Sequence, residues 1–456
     1  MVPDEVLSKI EGYQKRHVDE LLDFLRIPSI STYSHHESDI RKAAEWVLAR
    51  IRKLGFDADI HETKRHPLVC GHRISNPSHP TLLIYGHYDV QPPEPLEEWI
   101  SPPFSPAVRN GFVYARGAAD DKGQFLTYLK AMEVILEVTG DLPVNVKILV
   151  EGEEEIGSPS LKPYLVKNGR ELEADAAVIS DGSQFARGIP AITYGLRGLA
   201  YFQIDVTGPR IDLHSGLFGG VITNPIQALA EVLAGLKNPD GTVAIPGFYD
   251  DVADLEEWER KEMASLPLDE SALKEYLGVD GFTGERGYSI QERRTARPTL
   301  DVNGIWGGFS GEGAKTVIPS KAGAKVSMRL VPNQSQERAK RLFHDYFHSL
   351  NIPGIKIQVT DLYGADPVLI ARNTPHIRAA QRAIAVGFGK KPVFLREGGS
   401  IPIVNYFKEI VGIESVLLLG WGSPDDGAHS PNERFSLDDY HHGIRAAAAL
   451  FYEMVA

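Results

Sequence analysis

Four apolar runs of this chain each stop at a residue able to ligate a metal, and that pattern constrains the fold more than anything else in the sequence. Thr81-Leu82-Leu83-Ile84-Tyr85-Gly86 leads into His87-Tyr88-Asp89, and Val146-Lys147-Ile148-Leu149-Val150 into Gly152-Glu153-Glu154-Glu155-Ile156-Gly157. Ala176-Ala177-Val178-Ile179-Ser180 leads into Asp181, and Val416-Leu417-Leu418-Leu419-Gly420 into a loop that carries His429. Continuous apolar runs of this length, separated by helix-like stretches, predict the strands of a buried parallel sheet. Such sheets bind ligands at their carboxyl edge. Strands that deliver His, Asp, Glu and His to one edge predict a metal site, and the first functional expectation is a metallohydrolase.

At 456 residues the chain is too long for one ordinary core, which points to two domains. The first part carries the amphipathic pattern Val18, Leu21, Leu22, Phe24, Leu25 and a helix over Ile40 to Leu54. A further helix over Gln124 to Val138 has one apolar face made by Leu126, Leu129, Met132, Ile135 and Leu136. Strand and helix alternate to about Asp181, the pattern of a wound α/β sheet. The character changes near Gly195. Ala200–Val206, Ala322–Leu330 and Ile355–Leu362 predict strands, Asn224–Leu236 a helix, and Ser335–Leu350 a helix opened by an N-cap serine. Two strand–helix units of this kind predict a small α+β domain of ferredoxin-like type. After Pro367 the outer pattern resumes. The expected organisation is a mostly parallel α/β catalytic domain in two parts, 1–196 and 369–456, interrupted by a smaller inserted domain over 197–368. Within the insert, Phe248–Arg297 is acidic, then basic, and weakly periodic, and is expected to be a surface excursion.

Composition narrows the function classes. Hydrophobic residues at 43% and charged residues at 24% are ordinary for a globular chain. A formal net charge of −13 argues against a nucleic-acid or anionic-membrane partner, because counterion release needs a basic face. The single cysteine, Cys70, leaves no internal disulfide. Met1-Val2-Pro3-Asp4-Glu5 has neither a basic nor an apolar leader region, and no stretch approaches the roughly 20 apolar residues of a membrane span. A cytoplasmic location is expected.

His87 and Asp89 stand two apart on an extended segment, so both side chains point to one side. One can bind a metal while the other orients it through its second ring nitrogen or shares the shell. Asp120 and Asp121 precede the helix near Gln124; helix capping accounts for one of them, but not for the small residues Gly117-Ala118-Ala119 just before. Glu154 and Glu155 are adjacent at a strand end, where neighbours diverge: one can coordinate while the other faces substrate as a base.

These motifs resemble those of the co-catalytic zinc metallopeptidases that include carnosinase, cytosolic nonspecific dipeptidase, carboxypeptidase G, aminoacylase and the acetylornithine and succinyl-diaminopimelate deacylases. The resemblance rests on His87-Tyr88-Asp89, Gly117 to Gly123, Glu151 to Ser158, Ile179-Ser180-Asp181 and Gly427-Ala428-His429-Ser430, in that order over nearly the whole chain. The dipeptidase branch is the nearest match, because Asp212-Leu213-His214-Ser215-Gly216, Gly313 to Pro319, Ser327 to Pro332 and Arg396 to Pro402 also fit.

The resemblance implies two zinc ions per subunit, with manganese or cobalt as substitutes, and Asp120 as the bridging ligand. His87 and Asp181 would complete one ion, Glu155 and His429 the other. It further implies a water between the ions activated by Glu154 as general base, Asp89 behind His87, and His214 reaching across a dimer interface to stabilise the oxyanion. Thr316, Arg329, Gly399 and Ser400 would contact substrate, with Arg329 receiving the free carboxylate. The implied activity is hydrolysis of dipeptides or similarly short peptides by a homodimer formed through an inserted lid domain. Deacylation of N-acyl amino acids is the rival activity, and a non-catalytic binding relative the third. One departure is Ala115-Arg116-Gly117, where relatives begin with Gly-Arg-Gly. Another is Glu153, an extra charge beside the Glu154–Glu155 pair; alignment on Ile156-Gly157-Ser158 selects Glu154 as base and Glu155 as ligand.

Overall fold

A computed structural model describes all residues, Met1–Ala456. Each of the four apolar runs is a strand. Asn145–Glu151, Thr81–His87, Ala176–Ile179 and Val416–Gly420 lie side by side in that order, all parallel, at the centre of one sheet. Their side chains are buried on both faces, which is why the runs are continuous rather than alternating. Leu68–Arg73 and Asp57–His61 extend the sheet antiparallel on one flank, and Ala191–Leu196 on the other. The sheet is therefore parallel at its centre and antiparallel at its flanks. The outer strand Asp57–His61 is half-exposed, as an antiparallel edge can be.

Helices cover this sheet. Lys122–Thr139 is buried on all sides as far as Ile135, not along one stripe only, and its buried Lys130 is paired with Glu20 and Glu133. Pro375–Phe388, N-capped by Thr374, packs against Leu437–Glu453. Gly387 permits that approach: a Cβ there would stand 2.6 Å from Ala446 Cβ and 2.6 Å from the His442 carbonyl oxygen. No helix of the chain is long and apolar enough to cross a membrane.

By contacts the chain divides into two units, Met1–Tyr194 with Ile370–Leu395 and Ile403–Ala456, and Gly195–Leu369 with Arg396–Pro402. The sequence places Arg396–Pro402 with the first domain; in the structure it groups with the second. The reason is local bonding: the Arg197 amide donates to the Glu397 carbonyl at 3.2 Å, Arg329 Nη1 donates to Ser400 Oγ at 3.2 Å, and Arg396 forms an ion pair with Glu259.

The second unit has a four-stranded antiparallel sheet in the order Thr299–Gly307, Lys321–Leu330, Gly198–Thr207, Lys356–Ala365. Gly198–Thr207 alternates buried and half-buried residues, and its buried face, Ala200, Phe202, Ile204 and Val206, packs on Leu229 and Val232 of helix Pro225–Gly235 and on Ala339, Phe343 and Phe347 of helix Gln336–Ser349. The Phe202 and Phe343 rings stack at 4.0 Å. Strand and helix order, with both helices on one face, is that of the ferredoxin-like fold. The predicted elements omit Thr299–Gly307. That edge strand exposes Val302, Ile305 and Trp306 and buries Leu300, so it lacks the alternation that marks a half-buried strand.

Candidate metal centre

The five residues His87, Asp120, Glu155, Asp181 and His429 converge at the carboxyl ends of the central strands, as two groups that share Asp120. His87 Nε2 stands 3.1 Å from Asp120 Oδ1 and 3.7 Å from Asp181 Oδ1. His429 Nε2 stands 2.9 Å from Asp120 Oδ2 and 3.2 Å from Glu155 Oε2. Each oxygen of one carboxylate thus faces a different histidine. Ligands held about 2.0 to 2.2 Å from an ion are themselves roughly 3.3 Å apart, so these spacings suit two cations with Asp120 between them. His87 Nε2 is fully buried without a hydrogen-bond partner, an orphan that a cation would satisfy. The donor set is all nitrogen and oxygen, which suits a borderline divalent ion.

The charges say the same. Burial, and then the Asp120 charge, push Glu155 up to about 7. Burial and Asp120 also raise Asp181. Glu154 is raised well above the carboxylate range, by burial and by Asp181, Glu155 and Asp120, against the pull of His87. Hydrogen bonds to Asp120 and Glu155 carry His429 up to about 10. Four carboxylates this close repel one another unless positive charge stands between them.

The backbone is built to bring them together. Gly117 turns through φ +82°, and a Cβ there would meet Val90 Cγ1 at 2.6 Å. Asp121 holds the N-cap position of Lys122–Thr139, yet its side chain does not cap; it accepts the His87 amide at 3.2 Å. The Asp120–Asp121 peptide is cis. His429 itself sits at φ +63°, a left-handed conformation sparsely used by residues other than glycine and concentrated at functional sites. Asp89 stands behind His87: its backbone carbonyl lies 3.1 Å and its Oδ1 3.5 Å from His87 Nδ1, and its carboxylate accepts the amides of Glu154 at 3.2 Å and Glu155 at 3.1 Å. One aspartate orients the histidine and holds both glutamates.

Glu154 and Glu155 belong to a single 3-10 turn, Glu154–Ile156, just past the strand. Glu153 is separated from them by its partners. Its carboxylate accepts the amides of His66 and Ser160, each at 2.8 Å, and the Ser160 hydroxyl at 2.9 Å, which ties it to the loop structure.

In the second unit, His214 is exposed; its Nδ1 accepts the Gly216 amide at 2.9 Å, and its short strand pairs with Val317-Ile318, next to Thr316. Thr316 is exposed and its carbonyl accepts the Ser215 amide at 3.1 Å. Arg329 and Ser400 are bonded to each other, and Gly399 beside them is exposed, with open space where a side chain would be.

Three supporting residues are not signalled by any sequence motif. Glu433 is fully buried and accepts the amides of Gly117 at 2.9 Å, Ala119 at 2.9 Å and Asp120 at 3.2 Å, while Arg116 Nη1 pairs with it at 2.9 Å. It is the anchor of the loop that presents Asp120. Gln91 Nε2 donates to Glu155 Oε2 at 2.8 Å. Gln124 joins three site loops by donating to the carbonyls of Ala119 at 2.8 Å and Gly182 at 3.2 Å and accepting the Trp421 amide at 2.6 Å. Supporting partners of this kind commonly change metal affinity 10- to 100-fold. Glu433→Gln is therefore expected to weaken metal binding by about that factor, read by competition with a chelator of known affinity; unchanged affinity would remove Glu433 from this role.

Comparison with known proteins finds similar sequences and a similar overall fold. The family model described as Peptidase family M20/M25/M40 matches residues 83–453. The Cys-Gly metallodipeptidase dug1 of Schizosaccharomyces pombe is 34% identical, over 99% of this chain and 98% of that protein. The crystal structure of human carnosine dipeptidase 1 superposes with a TM-score of 0.85 at 31% identity, covering 100% of both chains. The M20 family metallo-carboxypeptidase Sso-CP2 of Sulfolobus solfataricus superposes with a TM-score of 0.86 at 34% identity, over 96% of this chain and 99% of that one.

Proposed function

The chain belongs to peptidase family M20/M25/M40, on its dipeptidase side, and from that premise we propose that it hydrolyses dipeptides and similarly short peptides at a centre of two divalent cations. The observation that carries the reading is Asp120, whose two oxygens each face a separate histidine, with Asp181 completing one group and Glu155 the other. Zinc suits this donor set, with manganese or cobalt as substitutes. When bound, the cations would polarise the scissile carbonyl and acidify the attacking water.

The chain's own residues supply the rest. Glu154 stands beside Glu155 but outside both ligand groups, so its carboxylate is available to take the proton from water and hand it to the leaving amine. Asp89 orients His87. Arg329 offers a planar guanidinium to the free carboxylate of the substrate, with Ser400, Gly399 and Thr316 as further contacts.

His214 is assigned to the oxyanion. Because its Nδ1 accepts the Gly216 amide, the neutral ring carries its proton on Nε2 and presents a donor. We assign that donor to the metal centre of a second copy, which makes the inserted unit both lid and dimerisation domain, and the enzyme a homodimer. The location proposed is the cytoplasm. His214→Ala is expected to lower kcat about 10²- to 10³-fold with metal content intact. Mixing it with Glu154→Gln should restore partial activity, since each hybrid dimer holds one intact composite site. Mixtures that stay inactive despite proven subunit exchange would place His214 within its own chain or outside catalysis.

Substrate class is decided by a single panel: Ala-Ala, Cys-Gly, β-Ala-His, an N-acetyl amino acid and a tetrapeptide with a free carboxyl end. The dipeptides are expected to be cleaved fastest. Faster release of the acetyl group would favour the deacylase reading, and faster shortening of the tetrapeptide a carboxypeptidase like the Sulfolobus relative.

A further inference from the structure

The substrate carboxylate has one guanidinium assigned to it, yet the second unit holds another with no established task. Arg197 immediately precedes the strand Gly198–Thr207, and Leu199 on that strand pairs directly with Arg329 on Lys321–Leu330. Both arginines therefore emerge at the same end of one sheet. Neither guanidinium is paired with a carboxylate. Arg197 donates Nε to the Gly398 carbonyl at 3.2 Å and Nη1 to the Arg297 carbonyl at 3.4 Å, and Arg329 donates Nη1 to the Ser400 hydroxyl at 3.2 Å. The carboxylate that does reach Arg197 electrostatically, Asp301, is exposed and lies 3.5 Å from Lys237 Nζ.

A buried or half-buried cation is ordinarily paired, because desolvation penalises it otherwise. Here burial, and then the charge of Arg329, bring Arg197 down to about 10. Two cations have been placed together with carbonyls and a hydroxyl around them and no anion between. Such a site is electrostatically incomplete until a negative group enters it.

Arg197 also shapes the segment that lines this region. Its amide donates to the Glu397 carbonyl at 3.2 Å, its own carbonyl accepts the Ser400 hydroxyl, and its Nε holds Gly398. Gly398 has to be glycine for this: a Cβ would stand 2.7 Å from Arg197 Nη2 and 2.7 Å from the Arg294 carbonyl oxygen. The segment carries Gly399, open to solvent, and Ser400, bonded to Arg329.

We propose that Arg197 is a positioning residue of the carboxylate subsite, a second guanidinium behind Arg329 that fixes Gly398–Ser400 and adds the positive potential by which a substrate with a free terminal carboxylate is preferred over its uncharged amide. The inference rests on the assignment of Arg329 to the substrate carboxylate. Arg197 need not touch the substrate; it acts through Arg329, through Ser400 and through its field. It therefore governs binding more than turnover.

The test compares Ala-Ala with Ala-Ala amide in the wild type, Arg329→Met, Arg197→Gln and Arg197→Lys. Glutamine keeps an amide donor near the Gly398 carbonyl while removing the charge. Arg197→Gln is expected to raise KM for Ala-Ala about tenfold with kcat within about threefold, and to cut the acid-over-amide preference in kcat/KM by a similar factor. Arg197→Lys, which keeps the charge but not the planar fork, should recover part of that preference. A wild type without the preference, or Arg329→Met that retains it, overturns the carboxylate assignment itself. A wild type that prefers the acid, with Arg329→Met losing the preference and Arg197→Gln retaining it, overturns only the role of Arg197, even if overall activity drops. Should Arg197→Gln fail to fold, Arg197→Lys decides: its shorter, unforked side chain should lower the preference two- to fivefold, and an unchanged preference overturns the proposal.

Discussion

Glu154→Gln is expected to keep both metal groups and lose about 10²- to 10⁴-fold or more in kcat. Glutamine matches glutamate in size and leaves the turn Glu154–Ile156 and its amide bonds to Asp89 undisturbed. It cannot accept a proton. Burial and the charges of Asp181, Glu155 and Asp120 raise the Glu154 carboxylate well above its ordinary range, the direction that makes it a stronger base. Metal analysis of the purified variant beside its turnover separates the base from a ligand. Near-normal turnover would remove Glu154 from the mechanism, and lost metal would make it a ligand.

Removing the metal is expected to abolish activity and to destabilise the fold by an amount that grows with pH. The signs can be worked through group by group. Glu155, at about 7, and the fully buried Glu151, pushed by burial to about 8, both lie above their unfolded values, so the stability these two groups contribute to the metal-free protein is fully present below pH ~4.5 and lost as pH rises through 7 and 8. His429, at about 10, loses its favourable pairing in the same direction, from pH ~6.5 upward. Cation binding asks for the same deprotonations and so strengthens with pH. Two groups work the other way. Buried His17, lowered by burial to about 3, costs stability as pH falls below ~6.5, and buried Lys122, lowered by burial to about 7, does so below ~10.5. The difference in Tm between metal-loaded and chelated protein removes the His17 contribution and most of the Lys122 contribution, leaving the site. That difference should widen by several degrees between pH 5.5 and 7.5, since Glu155 alone corresponds to a few kcal/mol. A difference that narrows or stays flat would mean that Glu155 does not face the cations. Activity should return on adding zinc, manganese or cobalt.

Much of the centre was legible because its ligands lie where an apolar strand gives way to a loop, a change of pattern visible in one dimension. His87, Asp181 and the pair Glu154-Glu155 all have that mark. The small residues Gly117-Ala118-Ala119 marked the Asp120–Asp121 pair, and the resemblance to the metallopeptidases chose Asp120 within it and set Glu153 aside. Glu433 could not be read, although it is fully buried and carries the Asp120 loop on three backbone bonds. A carboxylate that accepts main-chain amides from a segment over 300 residues away has no periodic or compositional trace. The strand Thr299–Gly307 was missed for the opposite reason. It has one neighbour strand and an exposed outer edge, so no burial forces its sequence to alternate. Arg396–Pro402 was misplaced because its sequence neighbours belong to one unit while its bonds belong to the other.

The strand Val416–Gly420 occupies an interior place in the first unit's sheet, between Ala176–Ile179 and Ala191–Leu196. It leaves the ribosome last of the sheet's central strands, on the order of tens of seconds after its parallel neighbour at a synthesis rate of about 5 to 20 residues per second. During that interval the nascent sheet has a gap at its centre with unpaired edges on both sides, the kind of surface that invites aggregation and chaperone capture. The inserted unit, nearly contiguous in sequence, can complete most of its sheet inside the same interval. His429 arrives later still, so the second ligand group cannot be complete on a growing chain. Filling of that second group is thereby deferred until residue 429 has emerged, and a chain arrested before it would carry the base and four of the five ligands with only the His87–Asp120–Asp181 group complete.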